Sequence, residues 1–131
     1  GRLVEALAPA ITDLVLCGEG RDALTVLGVP SEAGLRRIAG NANASLAELM
    51  ADPAVVDHVR SSLEQHNRDH PGQSTRISRF AFLREALSAN RHELSDKGSV
   101  NQAMAMHNHA DEVEALYATP VPRHVITVSG N

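Results

Sequence analysis

Two short runs of β-forming residues near the start of the chain constrain its fold more than any other feature. The first run covers residues 11–17 and the second covers residues 23–29, and Pro30 ends the second. The residues between them include Gly18 and Gly20. Two runs joined by about five residues with glycines are typical of a β-hairpin. We therefore predict an antiparallel pair of strands here.

The spacing of apolar residues changes to a helical period after the hairpin. Ser31, followed by Leu35 and Ile38, predicts a short helix that Gly40 ends. The segment 45–48 reads Ser-Leu-Ala-Glu, the capping-box pattern in which serine and glutamate satisfy each other's backbone donors. The sequence thus predicts two short helices in succession.

A longer helix is predicted to begin at Asp52-Pro53, with aspartate as N-cap and proline in the first turn. Pro71-Gly72 ends it, and we expect it to fray from Asn67 onwards. Its apolar stripe consists of Val55, Val56, Val59 and Leu63. This stripe predicts packing against a sheet or a neighbouring helix.

The second half of the chain adds a third strand and a last helix. Residues 76–83 contain both phenylalanines and predict a strand that crosses the core. After a polar loop at 88–98, Ser99 with Gln102 forms a second capping-box pattern, which predicts one helix from there to about Ala118. The stripe of that helix is Met106, Ala110, Val113 and Tyr117. The tail at 125–128 is either a terminal strand or disordered.

These elements predict an α+β fold, with a small β-hairpin and a mostly antiparallel three-stranded sheet packed with helices. A chain of 131 residues buries roughly two-thirds of its unfolded surface, so residues 1–131 suit one domain. The N-terminus lacks methionine, carries Glu5 early and does not resemble a signal peptide. We expect a domain excised from a larger protein.

Composition excludes several classes of function. The net charge of −4 argues against nucleic acid as a partner, and the three aromatic residues leave little for base stacking. No apolar run approaches the ~20 residues of a membrane-spanning helix, so no membrane partner is expected. The single cysteine, Cys17, excludes an internal disulfide, fits a reducing cytoplasmic compartment and stands among apolar neighbours typical of a buried structural thiol.

The histidines do not predict a metal site. His66 and His70 are four residues apart, but neither has a cysteine or carboxylate partner at zinc-binding spacing. His107 and His109 point about 200° apart on a helix and cannot chelate one ion together. We expect surface histidines and no bound metal.

Lysine usage is the most unusual feature of the charged residues. The chain has eleven arginines but one lysine, Lys97, which lies in Asp96-Lys97-Gly98 directly before the predicted helix start at Ser99. A helix start favours anions, glycine allows close backbone approach, and lysine adds a mobile charge. The same three residues also fit an ordinary polar turn, which is their commoner meaning.

The segment 93–102, Glu-Leu-Ser-Asp-Lys-Gly-Ser-Val-Asn-Gln, resembles the small C-terminal domain of AMP-forming acyl-CoA synthetases, and especially the end of feruloyl-CoA synthetases. Residues 112–118, 11–22 and 52–63 are also similar to that subfamily. Most of the superfamily has glycine before lysine, whereas this chain reads Lys97-Gly98, an order that feruloyl-type members share. Aligning the glycines places Ser99 in the lysine column and Gln102 in the arginine column.

The resemblance implies a C-terminal lid domain whose N-terminal adenylation domain is absent. The whole enzyme would activate an aromatic, hydroxycinnamate-like acid with ATP and Mg²⁺ and transfer it to coenzyme A. Lys97 would be the catalytic lysine that stabilises the adenylation step, with Gly98 and Ser99 near phosphate. The isolated domain would bind no cofactor and be inactive.

Two other functions remain open from the residues. One is a free-standing module that binds an anion or a protein through the helix N-terminus at Gly98 and Ser99. The other is a related adenylating enzyme with a different acceptor, such as a carrier-protein thiol.

Overall fold

A computed structural model describes residues 2–18, 21 and 23–129. The strands are β1 (Ile11–Cys17), β2 (Leu24–Pro30), β3 (Ile77–Phe82) and β4 (Ile126–Thr127). The helices are α1 (Arg2–Leu7), α2 (Glu32–Ala39), α3 (Leu46–Ala51), α4 (Pro53–Asp69), α5 (Gln102–Asn108) and α6 (Ala110–Tyr117). None of the helices in these ranges is long and apolar enough to cross a membrane.

The predicted hairpin is confirmed. Strands β1 and β2 pair antiparallel, with a register that runs from Cys17 opposite Thr25 to Ile11 opposite Pro30. The connection between them includes Glu19, Gly20 and Asp22, which lie outside the described residues.

The strands form one mixed sheet in the order β1-β2-β3-β4. Strand β3 pairs parallel to β2, because α2, α3 and α4 carry the chain back across the sheet before β3 begins. Strand β4 pairs antiparallel to β3, and Val128 donates a backbone hydrogen bond to Ser78 (2.9 Å). The α+β class is therefore confirmed. The tail is a strand, and it brings the sheet to four strands rather than three.

Helices cover both faces of the sheet. Alternate residues of a strand point to opposite faces, so Val26 and Phe80 pack toward α1–α4, while their neighbours Leu27 and Ala81 pack toward α5 and α6. Val26, Leu27 and Phe80 are fully buried and Ala81 almost so, which makes β2 and β3 the centre of the core.

The helix starts predicted for α2, α3 and α4 are confirmed by their caps. Ser31 accepts a hydrogen bond from Gly34 (3.1 Å), and Asp52 accepts one from Ala54 (2.8 Å). Ser45 and Glu48 form the reciprocal capping box, with bonds of 3.1 and 2.8 Å. Each cap satisfies backbone donors that the first turn of a helix leaves free.

The prediction of a single helix from Ser99 to Ala118 is wrong in two respects. Helix α5 begins at Gln102, because Asn101 rather than Ser99 accepts the capping hydrogen bond, from Met104 (3.1 Å). The chain then leaves helical geometry at His109 (φ −110°, ψ 34°), which separates α5 from α6. The break changes the face that is buried. Ala110, expected in the stripe, is exposed, whereas His109 is buried.

The predicted fraying of α4 from Asn67 onwards is also wrong. The helix continues to Asp69, and the Asn67 side chain is buried, with 5% of the residue exposed. The reason lies in a contact with β3 that no local pattern shows, since Asn67 hydrogen-bonds the backbone of Ile77.

Candidate functional site

The segment around the single lysine forms a tight hairpin, which we call the Lys97 hairpin (residues 94–100). Leu94 and Val100 bridge antiparallel, and the backbone of Ser95 donates to Ser99 (2.8 Å) and accepts from Gly98 (2.9 Å). Gly98 has a left-handed φ of +81°. A three-residue loop with glycine at the left-handed position is a standard hairpin connection. The interpretation of residues 96–98 as a polar turn is thus confirmed.

Lys97 lies at the tip of this hairpin. The residue is exposed, and its ammonium group has neither a hydrogen bond nor an ion pair within the described ranges. Asp96, Gly98 and Ser99 are exposed beside it, and apart from Gly98 and its two chain neighbours no described atom lies within 4 Å of the position that a Gly98 Cβ would occupy. The geometry presents one exposed cation on a hydrogen-bonded hairpin, beside a glycine with free space on its open side.

The helix N-terminus expected at Gly98 and Ser99 does not exist. The N–H of Gly98 is bonded to the Ser95 carbonyl, and the N–H groups of Ser99 (3.1 Å) and Lys97 (3.3 Å) donate to Ser95 Oγ. Helix α5 begins three residues after Ser99 and has only seven residues. The anion-binding module therefore loses its structural basis, since these backbone donors are already used inside the turn.

A buried acid, Glu93, directly precedes the Lys97 hairpin and forms its foot. Its backbone N–H donates to Ser88 (3.0 Å), and its carbonyl accepts from Asn101 (2.8 Å), so it closes the stem on both sides. Its side chain is fully buried and accepts from the Ser88 N–H (2.9 Å), Arg91 Nε (3.2 Å) and Asn108 Nδ2 (3.1 Å). Such a set of partners is what a buried carboxylate requires.

Burial by itself would raise the pKa of Glu93. The hydrogen bonds from Asn108, the Ser88 N–H and Arg91, together with the charge of His109, outweigh burial and lower the pKa below its ordinary value of 4.5. The carboxylate is therefore ionised at neutral pH, and its negative charge is held inside the protein by these donors.

His109 lies between two carboxylates. Its Nε2 is 2.9 Å from Glu93 Oε2, within ion-pair distance though not aligned as a hydrogen bond, and its Nδ1 is 3.1 Å from Glu112 Oε1. The expectation of a surface position is wrong for His109, because the break between α5 and α6 turns the ring inward.

The remaining histidines that the sequence raised as metal ligands do not form a site. His107 is exposed, and the rings of His66 and His70 stack with centroids 4.4 Å apart. Among the residues that the structure describes, no three histidine, cysteine or acidic side chains converge as metal ligands.

Gln102 fastens the first turn of α5 to the sheet. Its side-chain amide accepts from the Leu16 N–H (2.9 Å) and donates to the Leu14 carbonyl (3.3 Å) on the outer edge of β1. These two bonds pair backbone groups that an edge strand otherwise leaves to solvent. Asn101 and Gln102 thus have structural roles. Asn101 caps α5, and Gln102 attaches α5 to β1.

The segment 112–118 anchors the other end of this helical pair. The Tyr117 hydroxyl donates to the Ala23 carbonyl (2.9 Å) and accepts from Thr25 Oγ1 (3.2 Å). The guanidinium of Arg21 lies 4.1 Å from the centre of the Tyr117 ring and forms an ion pair with Glu114. These contacts join α6 to the β1–β2 hairpin.

The candidate residues named from the sequence all lie on the Lys97 hairpin, and none lies among the buried groups beneath it. Lys97, Gly98 and Ser99 do lie together on one exposed hairpin, because they are neighbours in the chain. Glu93 and His109 were missed, since an acid in a polar loop and a histidine in a helical segment look the same whether buried or exposed.

A mixed four-stranded sheet packed with helices is the architecture of the C-terminal domain of adenylate-forming enzymes. The family model described as "AMP-binding enzyme C-terminal domain" matches residues 2–120, and the chain belongs to this family. No curated protein matches the chain in sequence.

Two solved structures share the fold. One is the didomain of a carboxylic acid reductase from Segniliparus rugosus, containing the A and PCP domains in complex with AMP (21% identity, TM-score 0.58). The other is the adenylation domain of a carboxylate reductase from Mycobacterium chelonae (21% identity, TM-score 0.59). Each match covers 88% of this chain but only 15% and 17% of those chains.

Proposed function

We propose that this chain is the C-terminal lid domain of a larger ATP-dependent enzyme that activates a carboxylic acid as its acyl-adenylate and passes the acyl group to a thiol. Membership in the AMP-binding family supports the use of ATP. The observation that carries the proposal is the single lysine of the chain, which is exposed at the tip of a hydrogen-bonded hairpin and has no side-chain partner among the described residues.

Lys97 would act in the first half reaction. When a carboxylate oxygen attacks the α-phosphorus of ATP and pyrophosphate leaves, negative charge increases on the phosphate oxygens. An ammonium group placed at that point stabilises this charge. The long stem of Lys97, together with the lack of a competing partner in the part of the chain that the structure describes, suits delivery by a domain that moves. Gly98 and the Ser99 hydroxyl would lie beside the phosphate, and Mg²⁺ would arrive with ATP.

In the second half reaction the thiol sulfur attacks the acyl carbon and AMP leaves. We propose coenzyme A as the acceptor and an aromatic, hydroxycinnamate-like acid as the substrate. The support is the similarity of residues 93–102 to the end of feruloyl-CoA synthetases. The partner is the adenylation domain that would precede Gly1, and the single buried cysteine is in keeping with a cytoplasmic location.

Replacing the lysine tests the proposal. In the full-length enzyme, Lys97→Ala should slow ATP–pyrophosphate exchange by about 100-fold or more, since one charge-stabilising group is lost. Thioester formation from preformed adenylate should change by less than about twofold. Arg76→Ala is the matched control, because Arg76 is also an exposed cation with no side-chain partner in the described ranges. Unchanged exchange in Lys97→Ala would refute the role of Lys97.

The acceptor is tested separately. Preformed adenylate is offered to coenzyme A and to a phosphopantetheinyl carrier protein, the alternative that the A–PCP didomain of the Segniliparus reductase suggests. Faster acyl transfer to coenzyme A supports coenzyme A as the acceptor. Transfer to the carrier protein alone would show that the acceptor is a carrier-protein thiol instead. The isolated 131-residue chain should show no ATP–pyrophosphate exchange, because its sequence contains no Ser/Thr/Gly-rich phosphate-binding loop.

A further inference from the structure

The buried acid Glu93 has no part in the chemistry proposed for Lys97, yet it is the most completely enclosed charged group among the described residues. Its residue exposure is 0%, against 41% for the side chain of its partner Arg91. A charge is costly to bury, and its retention requires several donors around it. The positions in the chain of the groups around Glu93 indicate which segments its carboxylate holds together.

The groups that contact the Glu93 carboxylate are three hydrogen-bond donors and the ring of His109, and they lie in two separate segments of the chain. Ser88 and Arg91 lie in the loop that leads from β3 to the Lys97 hairpin, whereas Asn108 and His109 lie at the joint between α5 and α6. Asn108 also donates to the Arg91 carbonyl (3.0 Å). The carboxylate is therefore the point where the loop and the helix joint are fastened together.

A second acid extends the same connection. Glu112 accepts from the Arg84 N–H (3.3 Å) where the loop leaves β3, and its other oxygen faces His109. His109 thus lies between Glu112, which binds the start of the loop, and Glu93, which lies at the foot of the Lys97 hairpin. Among the described residues, the bridge of Leu94 with Val100 is the strand pairing of this loop, and Leu87 and Val100 pack against the core. The bonds of Glu93 and Glu112 add a polar attachment to the α5–α6 joint.

We propose that Glu93 is a positioning residue for Lys97: its buried carboxylate fixes the foot of the Lys97 hairpin to the α5–α6 joint, so that the backbone carrying the lysine is held in one position. The proposal rests on the function proposed for Lys97. Small errors in the placement of a reacting or charge-stabilising group reduce rates strongly, whereas the thiol-transfer step does not use the lysine.

A double-mutant cycle in the full-length enzyme tests this. ATP–pyrophosphate exchange is measured for the wild type, Glu93→Gln, Lys97→Ala and the double variant, with Glu85→Gln as control. Glu85 is an exposed acid of the same loop without a side-chain partner in the described ranges. Glu93→Gln should lower exchange by about tenfold or more and leave thioester formation within about twofold. In the Lys97→Ala background it should lower exchange no further.

A purely structural role for Glu93 predicts a different result. Both half reactions would then fall together, or Glu93→Gln would reduce exchange by the same factor with and without Lys97, and either result would overturn the proposal. If Lys97→Ala leaves exchange unchanged, the proposed function fails instead.

Amide hydrogen exchange then decides the positioning role separately. In Glu93→Gln the amides of Gly98, Ser99 and Asn101 should lose protection by about tenfold or more, while those of Val26 and Phe80 keep theirs. Unchanged hairpin protection would overturn the proposal. If Glu93→Gln fails to fold, Asn108→Ala removes one donor at a more exposed position and should give the same pattern more weakly.

Discussion

The side chain of Asn67 pairs with both backbone groups of Ile77. Its Nδ2 donates to the Ile77 carbonyl (2.9 Å), and its Oδ1 accepts from the Ile77 N–H (2.9 Å). Asn67 lies near the end of α4, and Ile77 is the first residue of β3. The amide thus takes the place of a neighbouring strand and sets where β3 begins relative to α4.

Asn67→Ala should destabilise the fold by about 3 kcal/mol, because it leaves the buried N–H and carbonyl of Ile77 unpaired. Urea unfolding measures the loss. Asn90→Ala is the control, since Asn90 is exposed and its side chain makes no hydrogen bond in the described ranges, and it should change stability by less than about 0.5 kcal/mol. Equal values for the two variants would show that the pairing contributes little.

Gly28→Ala should be destabilising because of crowding. A Cβ at Gly28 would lie 2.6 Å from Phe80 Cζ and 2.8 Å from Ile11 Cγ2, inside the core. The expected cost is about 1–3 kcal/mol, measured by thermal or urea unfolding. A variant as stable as the wild type would mean that the Phe80 ring moves aside without cost.

Gly98→Ala tests backbone strain without crowding. The left-handed φ of +81° is unfavourable for alanine, although no described atom beyond the neighbouring residues lies within 4 Å of the new Cβ. We expect a loss of about 1–2 kcal/mol and a smaller one for Gly98→Asn, because asparagine tolerates this conformation better. The reverse order of the two variants in urea unfolding would contradict the hairpin geometry.

Stability should fall in acid partly through Glu93. Its pKa lies below 4.5 in the folded protein, so the unfolded chain binds the proton more readily and gains population as the pH drops below that value. The contribution is complete well above pH 4.5 and is lost as the pH falls through the folded pKa. The difference in unfolding free energy between wild type and Glu93→Gln should therefore shrink from pH 7 toward acid. A constant difference would argue against an ionised Glu93.

Cys17 should react slowly in the folded protein. Burial raises the pKa of its thiol from 9.0 to about 11, against the opposing effects of a hydrogen bond with Thr25 and the charge of Arg21. The thiolate is the reactive form, so alkylation by iodoacetamide at pH 8 should be about 100-fold slower than in denaturant, judged by this pKa shift alone. Similar rates in both conditions, followed by mass spectrometry, would place Cys17 in an accessible position.

Local patterns in the sequence were sufficient for the caps of α2, α3 and α4, where the interacting groups are neighbours in the chain. The Ser45–Glu48 capping box and the Asp52 cap were predicted because each joins a side chain to a backbone group two or three residues away. The same logic failed at Ser99. Ser99 belongs to the hairpin closed by Ser95, and Asn101 caps α5 instead.

The sequence by itself determined the strands of the hairpin, the starts of α2, α3 and α4, and the presence of one lysine in a polar turn. Only the tertiary structure decided the parallel pairing of β2 with β3, the burial of Glu93 and His109, and the attachment of Gln102 to Leu16. Gln102 and Leu16 are 86 residues apart. The physical reason is range: turns and caps are set by short-range hydrogen bonds, whereas the enclosure of a charge and the completion of a sheet edge depend on groups that meet only after the chain has folded.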